Sequence, residues 1–168
     1  MKKLLISSIF ACANTNAASR IYICETPQNE DLTQAEYEAL VWVEIRSIGN
    51  RGESGRNTNI VNYDTWDTEV TQKAKGVTDA GSPELEVARL PDDPGQTILR
   101  AAGEVGNNNQ YAFREERSDQ EIGGTPSFFY DRGIVTGPKR PGGRNEDFDL
   151  EMFMLGFNQS QIVVDPTP

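Results

Sequence analysis

The stretch 73–102 constrains the fold more than any other, because it reads as strand, turn, strand, cap and helix in direct succession. A first strand runs into Lys73, Ala74, Lys75 and Gly76, and Asp79, Ala80, Gly81, Ser82 and Pro83 then gather turn-forming and chain-breaking residues. In 84–90, Leu85 and Val87 fall on one face and Glu84, Glu86 and Ala88 on the other, which is the period of a half-buried strand. A helix start follows. Asp93 can accept from free backbone amides, Pro94 sits where a missing N–H does no harm, and Gln96 lies three residues on, as in a capping box. Ile98, Leu99 and Ala102 give that helix a short apolar stripe, and Gly103, Gly106 and the run Asn107, Asn108, Asn109 end it within about three turns.

The rest of the chain repeats the strand signal around this unit. Residues 20–25 predict a first short strand, closed by Thr26 and Pro27. Thr33 and Glu36 have capping-box spacing, with Leu32, Ala35, Ala39 and Leu40 near one face of a short helix. Residues 41–48 alternate strictly, placing Val41, Val43 and Ile45 inward and Trp42, Glu44 and Arg46 opposite; Trp42 reads as covering the edge of the core. Residues 49–59 carry almost nothing apolar and read as a long ordered loop. Strands are expected again at 60–63 and 66–75, at 110–116 with its aromatics on one face, at 127–130 with 133–137 as one strand or a bent pair, at 148–157, and at 161–165. Lys139 to Arg144 is a basic, Pro-Gly loop.

Fifteen glycines and nine prolines spread through 168 residues fit many turns and short strands in one domain. A hydrophobic content of 36% and a mean hydropathy of -0.58 imply a thin core under a polar surface. One helix leaves little room for parallel crossovers, so the expected fold is mainly β: an antiparallel β-sandwich or barrel with one flanking α-helix.

Absences narrow the chemistry. Without histidine there is no Ser-His-Asp or Cys-His catalysis and no His-containing metal site. Cys12 and Cys24 allow at most one disulfide and no four-cysteine zinc site. Asp147, Asp149 and Glu151 alternate without the central glycine of a calcium loop, and read as a solvated strand face. No catalytic, cofactor-binding or metal-binding residue is assigned, no cofactor is expected, and the chain does not read as an enzyme. A net charge of -10 argues against ordinary nucleic-acid binding; it reads first as a surface that keeps the chain soluble, and alternatively as one past which DNA must move without sticking.

At the start, Lys2 and Lys3 precede an apolar run at 4–13, and Ala11, Cys12, Ala13 resembles a small-residue cleavage site. Residues 1–19 therefore read as an N-terminal extension, signal-like or else an arm or an upstream start, and 20–168 as the folded domain. The apolar run is too short for a permanent membrane anchor.

The order of Trp42, Val43, Glu44 and Ile45, a Gly-rich loop, 59–64, Lys73 to Gly76, Asp79, Ala80 and Gly81, Asp93 to Gln96 and the helix 99–102 resembles the major tail tube protein of long, non-contractile bacteriophage tails. The resemblance covers roughly 20–165 and lies in succession and spacing. It implies a β-sandwich with a flanking helix, self-associated as hexameric rings stacked into a tube through which the genome leaves. DNA would pass that lumen without specific binding. It further implies assembly in the host cytoplasm beside tape measure, tail terminator and distal tail proteins, residence in the virion tail, and residues 49–59 as the ring-stacking loop. Taking residues 1–19 as a signal gives the alternative, a secreted or periplasmic β-sandwich for binding or adhesion, with Trp42 and Trp66 as a sugar platform. A two-carboxylate hydrolase is the third reading, and no pair of acids is grouped by the sequence.

Overall fold

A computed structural model describes residues 17–120 and 124–167. Its strands are β1 (Arg20–Cys24), β2 (Trp42–Ile45), β3 (Ile48–Arg51), β4 (Asn57–Tyr63), β5 (Gln72–Asp79), β6 (Glu84–Ala88), β7 (Tyr111–Glu116), β8 (Phe128–Lys139), β9 (Leu150–Phe157) and β10 (Ile162–Val164). The helices are α1 (Gln34–Glu38) and α2 (Pro94–Ala102). The architecture is mainly β and antiparallel with flanking helix, as the turn content and strand periods imply.

Eight strands form one sheet in the order β2-β1-β7-β8-β9-β6-β3, with β10 added to β8, and β4 and β5 form a separate hairpin. The two ends of this order, β2 and β3, are consecutive in sequence and joined only by Arg46 and Ser47, so the sheet must curl until its ends meet. Ser47 makes the corner with a φ of 57°, which is uncommon outside glycine and asparagine. The alternation expected across 41–48 is thus broken in two, and Val41, expected inward, is 79% exposed before β2 begins.

The long strand β8 is the hinge of the curl. Its first half pairs with β7 and β10, and from Gly133 onward it pairs with β9. Of the two alternatives read from sequence, one strand or a bent pair, the structure has the single strand, because Asp131 and Arg132 continue the ladder between the two apolar segments.

Side chains inside the curl form the main core: Ile21 and Ile23 of β1, Ile45 of β2, Leu85 and Val87 of β6, Tyr111 and Phe113 of β7, Val135 of β8, and Phe153, Leu155 and Phe157 of β9. Leu99 and Ala102 of α2 complete it. Each strand contributes alternate residues, as a sheet with one buried face requires. A second, smaller core lies on the outer face, where Tyr37 of α1 stacks on Tyr130 beside Cys24, Ala112, Trp42 and Phe128. Cys24 is buried and unpaired; Cys12 lies outside the described residues.

Helix α1 begins as its sequence indicates, the Glu36 carboxylate accepting from Thr33 N and Thr33 Oγ1 at 2.7 Å each. Those bonds hold the Glu36 carboxyl below its ordinary range. Of the stripe expected for α1, Leu32 and Leu40 pack against the second core, but Ala35 and Ala39 are exposed and Tyr37 is the buried residue, because the covered face meets an aromatic cluster.

Helix α2 is capped by Asp93, whose Oδ2 accepts from Gln96 N at 2.9 Å. Gln96 does not complete the box. Fully buried, its amide donates to Arg46 O and to Ala88 O at 2.9 Å, and accepts from Leu90 N at 2.8 Å. It ties the β2–β3 corner to the end of β6. The helix reaches this position because Gly95 has no side chain: a Cβ there would lie 2.2 Å from Glu44 O. We expect Gln96→Ala to lower stability by about 3 kcal/mol in urea denaturation, since two carbonyls and an amide lose a buried partner at once.

Candidate assembly surface

The hairpin of β4 and β5 interrupts the β3–β6 pair and stands away from the curled sheet. This corrects the loop expected at 49–59: residues 48–51 are β3, Asn57 begins β4, and only 52–56 connects them. Polar composition concealed the strands, since neither face of the hairpin packs on the core. Likewise the extended run expected from Trp66 is a turn up to Thr71, and β5 starts at Gln72.

No residue between 57 and 79 is buried. Ile60, Val61, Tyr63, Trp66, Val70 and Val77 make up six of the thirteen large hydrophobic side chains that the described residues expose. The register puts Ile60 opposite Lys75 and Asn62 opposite Lys73 on one face, with Val61 opposite Ala74 and Tyr63 opposite Gln72 on the other. A two-stranded ribbon this exposed is marginal on its own, and apolar groups concentrated on it mark a surface made to be covered. Gly81 makes the bend at its root with a φ of 104°, where a Cβ would also meet Gly55 O at 2.7 Å.

The root is fixed to the body by buried ions. Arg51, the last residue of β3, pairs with Glu115 of β7 and lies 3.9 Å from Asp131 of β8. Arg117 pairs with Glu115 at 2.8 Å and Gln161 donates to Asp131 at 2.8 Å. Burial pushes the Asp131 carboxyl up to about 6, with Gln161 and Arg51 opposing and Glu115 adding to the rise. Glu115 and Asp131 are the carboxylate pair that the sequence did not group; diagonal register across β7 and β8 brings them together. Glu115 lines a cavity at the end of the curl with Ile21, Arg51 and Arg117, whereas Asp131 does not open onto it.

The opposite end of the molecule is tied by Glu151. Expected on a solvated face, it is fully buried and held by Arg89 at 3.3 Å, Arg100 at 2.7 Å and Arg140 at 3.0 Å. Its neighbours in alternation, Phe153 and Leu155, point into the core, and Glu151 continues that inward face. Burial would raise its carboxyl, but hydrogen bonds and charge from Arg100 and Arg140 outweigh that and hold it below the ordinary range. Asp149 is exposed and Asp147 accepts from Arg144 N at 2.7 Å, so the three acids do not converge. Among the described residues no group of three His, Cys, Asp or Glu side chains could hold a metal ion, and no helix is long and apolar enough to cross a membrane.

A groove runs over the outer face near this end, lined by Ile48 and Gly49 of β3, Glu86 and Ala88 of β6, Leu150, and the 141–148 loop with Glu146, Asp147 and the exposed Phe148. The two tryptophans are not brought together. Trp42 packs 6.1 Å from Tyr130, with the Arg114 guanidinium 5.3 Å from its ring, and Trp66 projects fully exposed from the hairpin tip. They form no sugar platform.

The two buried acids predict opposite pH behaviour. Asp131 is raised in the folded state, so the folded chain holds the extra proton between about pH 4 and 6, and stability falls as pH rises through that window. Asp131→Asn is expected to remove this fall, which amounts to at most about 3 kcal/mol; denaturation of both chains at pH 4, 5, 6 and 7 measures it. Glu151 is lowered, and contributes stability above its unfolded value that is lost on acidification. Glu151→Gln should lower stability at pH 7 by roughly 3 kcal/mol, a loss that shrinks towards pH 4.

No protein-family model matches the sequence, and no curated protein matches it. Among solved structures, the fold is similar to that of a chain in the cryo-EM structure of the anti-feeding prophage (AFP) baseplate, six-fold symmetrised, with a TM-score of 0.64 at 7% sequence identity. The likeness spans 92% of this chain and 97% of that one, so it is a likeness of the overall fold.

Proposed function

We propose that this protein is a structural subunit of a phage-tail-type particle, and that it self-associates into six-fold rings stacked as a tube. The observation that carries the reading is the β4–β5 hairpin, a ribbon with exposed apolar side chains on both faces and no core of its own. Such an arm is stabilised when another chain covers it. Support comes from the fold shared with a chain of a six-fold symmetrised baseplate, and from strand edges that pair on one side only, at β3 and β10. Open edges are aggregation hazards in a monomer and joints in an assembly.

The charge fits a conduit. At -10, a ring of such subunits presents a wall that phosphate groups do not adhere to, so a genome moves through without specific binding. The subunit acts beside other tail proteins, a tape measure, a terminator and a distal tail component, and assembles in the host cytoplasm. No chemistry is ascribed to it: the buried carboxylates are consumed by arginines that hold the fold.

Electron microscopy with analytical sedimentation tests this on the full chain. Six-fold rings or tubes are expected as concentration rises, and replacing 57–79 by a short Gly-Ser turn should leave the circular dichroism and the thermal transition of the body intact while abolishing assembly. A chain that stays monomeric up to its solubility limit, or a hairpin-less variant that assembles equally well, overturns the reading.

A further inference from the structure

The basic face of the hairpin and the acidic groove lie at opposite ends of the same two-stranded ribbon. The β3–β6 pair runs into the hairpin beyond Arg51 and Glu84, while the groove is built at its other end, by Ile48, Gly49, Glu86 and Ala88. A chain with matching surfaces at the two ends of one ribbon joins head to tail, the geometry that closes into rings or propagates as tubes. We propose that the hairpin face bearing Ile60, Lys73 and Lys75 docks in the Glu86, Glu146 and Phe148 groove of a second copy of this chain.

The charges select this occupant. In a chain of net charge -10, the hairpin shaft presents two lysines on one face, and among the described residues the side chains of Lys73 and Lys75 make neither an ion pair nor a hydrogen bond. The groove carries Glu86 and Glu146, which are equally without an ion pair among the described residues, and Asp147, engaged only through a backbone amide. Apolar surface matches as well: Ile60, opposite Lys75 on the same face, is 62% exposed, and Phe148 is 83% exposed at the groove. Lysine–carboxylate pairs at the rim set register and speed encounter, and the apolar centre supplies most of the affinity.

This inference rests on the self-assembly reading above, and the experiment separates the two. Isotopically light and heavy full-length chains are mixed at a concentration where sedimentation shows oligomers, then treated with a zero-length carbodiimide. Cross-links joining Lys73 or Lys75 of one isotope to Glu86, Glu146 or Asp147 of the other are expected. Lys73→Glu with Lys75→Glu should raise the concentration needed for assembly by roughly tenfold or more, and Glu86→Lys with Glu146→Lys in the same chain should restore it. An unchanged thermal transition shows that each variant folds. Oligomers that form without mixed-isotope links at these residues, or that are indifferent to the charge reversal, overturn the docking and leave self-assembly standing. Absence of oligomers at every concentration removes both.

Discussion

The fold depends on how a sheet whose ends are joined by two residues satisfies the backbone along its seam. β2 and β3 turn on Arg46 and Ser47 without pairing with each other, and β6 supplies one bond at the corner, Ala88 N donating to Ser47 O at 2.8 Å, while Arg46 O is left to other partners. Buried polar backbone without a partner costs about 1–3 kcal/mol per group, so the seam must be filled. Helix α2 fills it with side chains: Asp93 caps its own helix, and Gln96 bonds Arg46, Ala88 and Leu90. The helix can come that close only because Gly95 lies against Glu44 O. Its apolar side, Leu99 and Ala102, then finishes the main core. One short helix thus caps, bridges and packs.

The same economy governs the ends of the curl. With a modest supply of apolar residues, the chain lets charged side chains continue the inward faces of its strands, Glu115 after Phe113 and Glu151 before Phe153. Burying a carboxylate is tolerable when cations and donors surround it. Arginine suits this role because its planar fork serves several oxygens at once, as Arg100 does in bonding Glu151, Gln96 and Leu90 O. These ion clusters also fix what leaves the body: Arg51 holds the root of the hairpin, and Arg140 holds the loop that walls the groove. The hairpin and the loop that walls the groove are therefore anchored by buried charge at their bases.

Body and hairpin divide the work. The body has a core, buried carboxylates paired with arginines, and a fold similar to that of a chain in a six-fold symmetrised baseplate structure. The hairpin has cross-strand pairs and little else to hold its conformation. In the proposed assembly this least stable element is the one a neighbour would complete. Open edges at β3 and β10 would follow the same logic, being joints in such an assembly and liabilities in a monomer.

By itself, the sequence determined whatever depends on neighbours a few residues away. Turn clusters, period-two alternation and the Asp93–Pro94 start placed β6, α2, β7 and β9, and with them the mainly antiparallel β class, because these signals are local free-energy preferences. The seam, the second core and the ion clusters were decided only by tertiary structure. Gln96 looked like half of a capping box until the β2–β3 corner offered it Arg46 O and the end of β6 offered it Ala88 O and Leu90 N. Tyr37 outranked the alanines of α1 once Tyr130 lay beneath it. Glu151 looked solvated because nothing in its own segment reveals that Arg89, Arg100 and Arg140 converge on it from three distant places. Strand β3 and the first three residues of β4 passed for a loop because β3 pairs with β6, β4 pairs with β5, and both bury little, so the usual apolar signature was missing. Hydrogen-bond and charge satisfaction at those positions is a property of the closed sheet, and no local pattern encodes it.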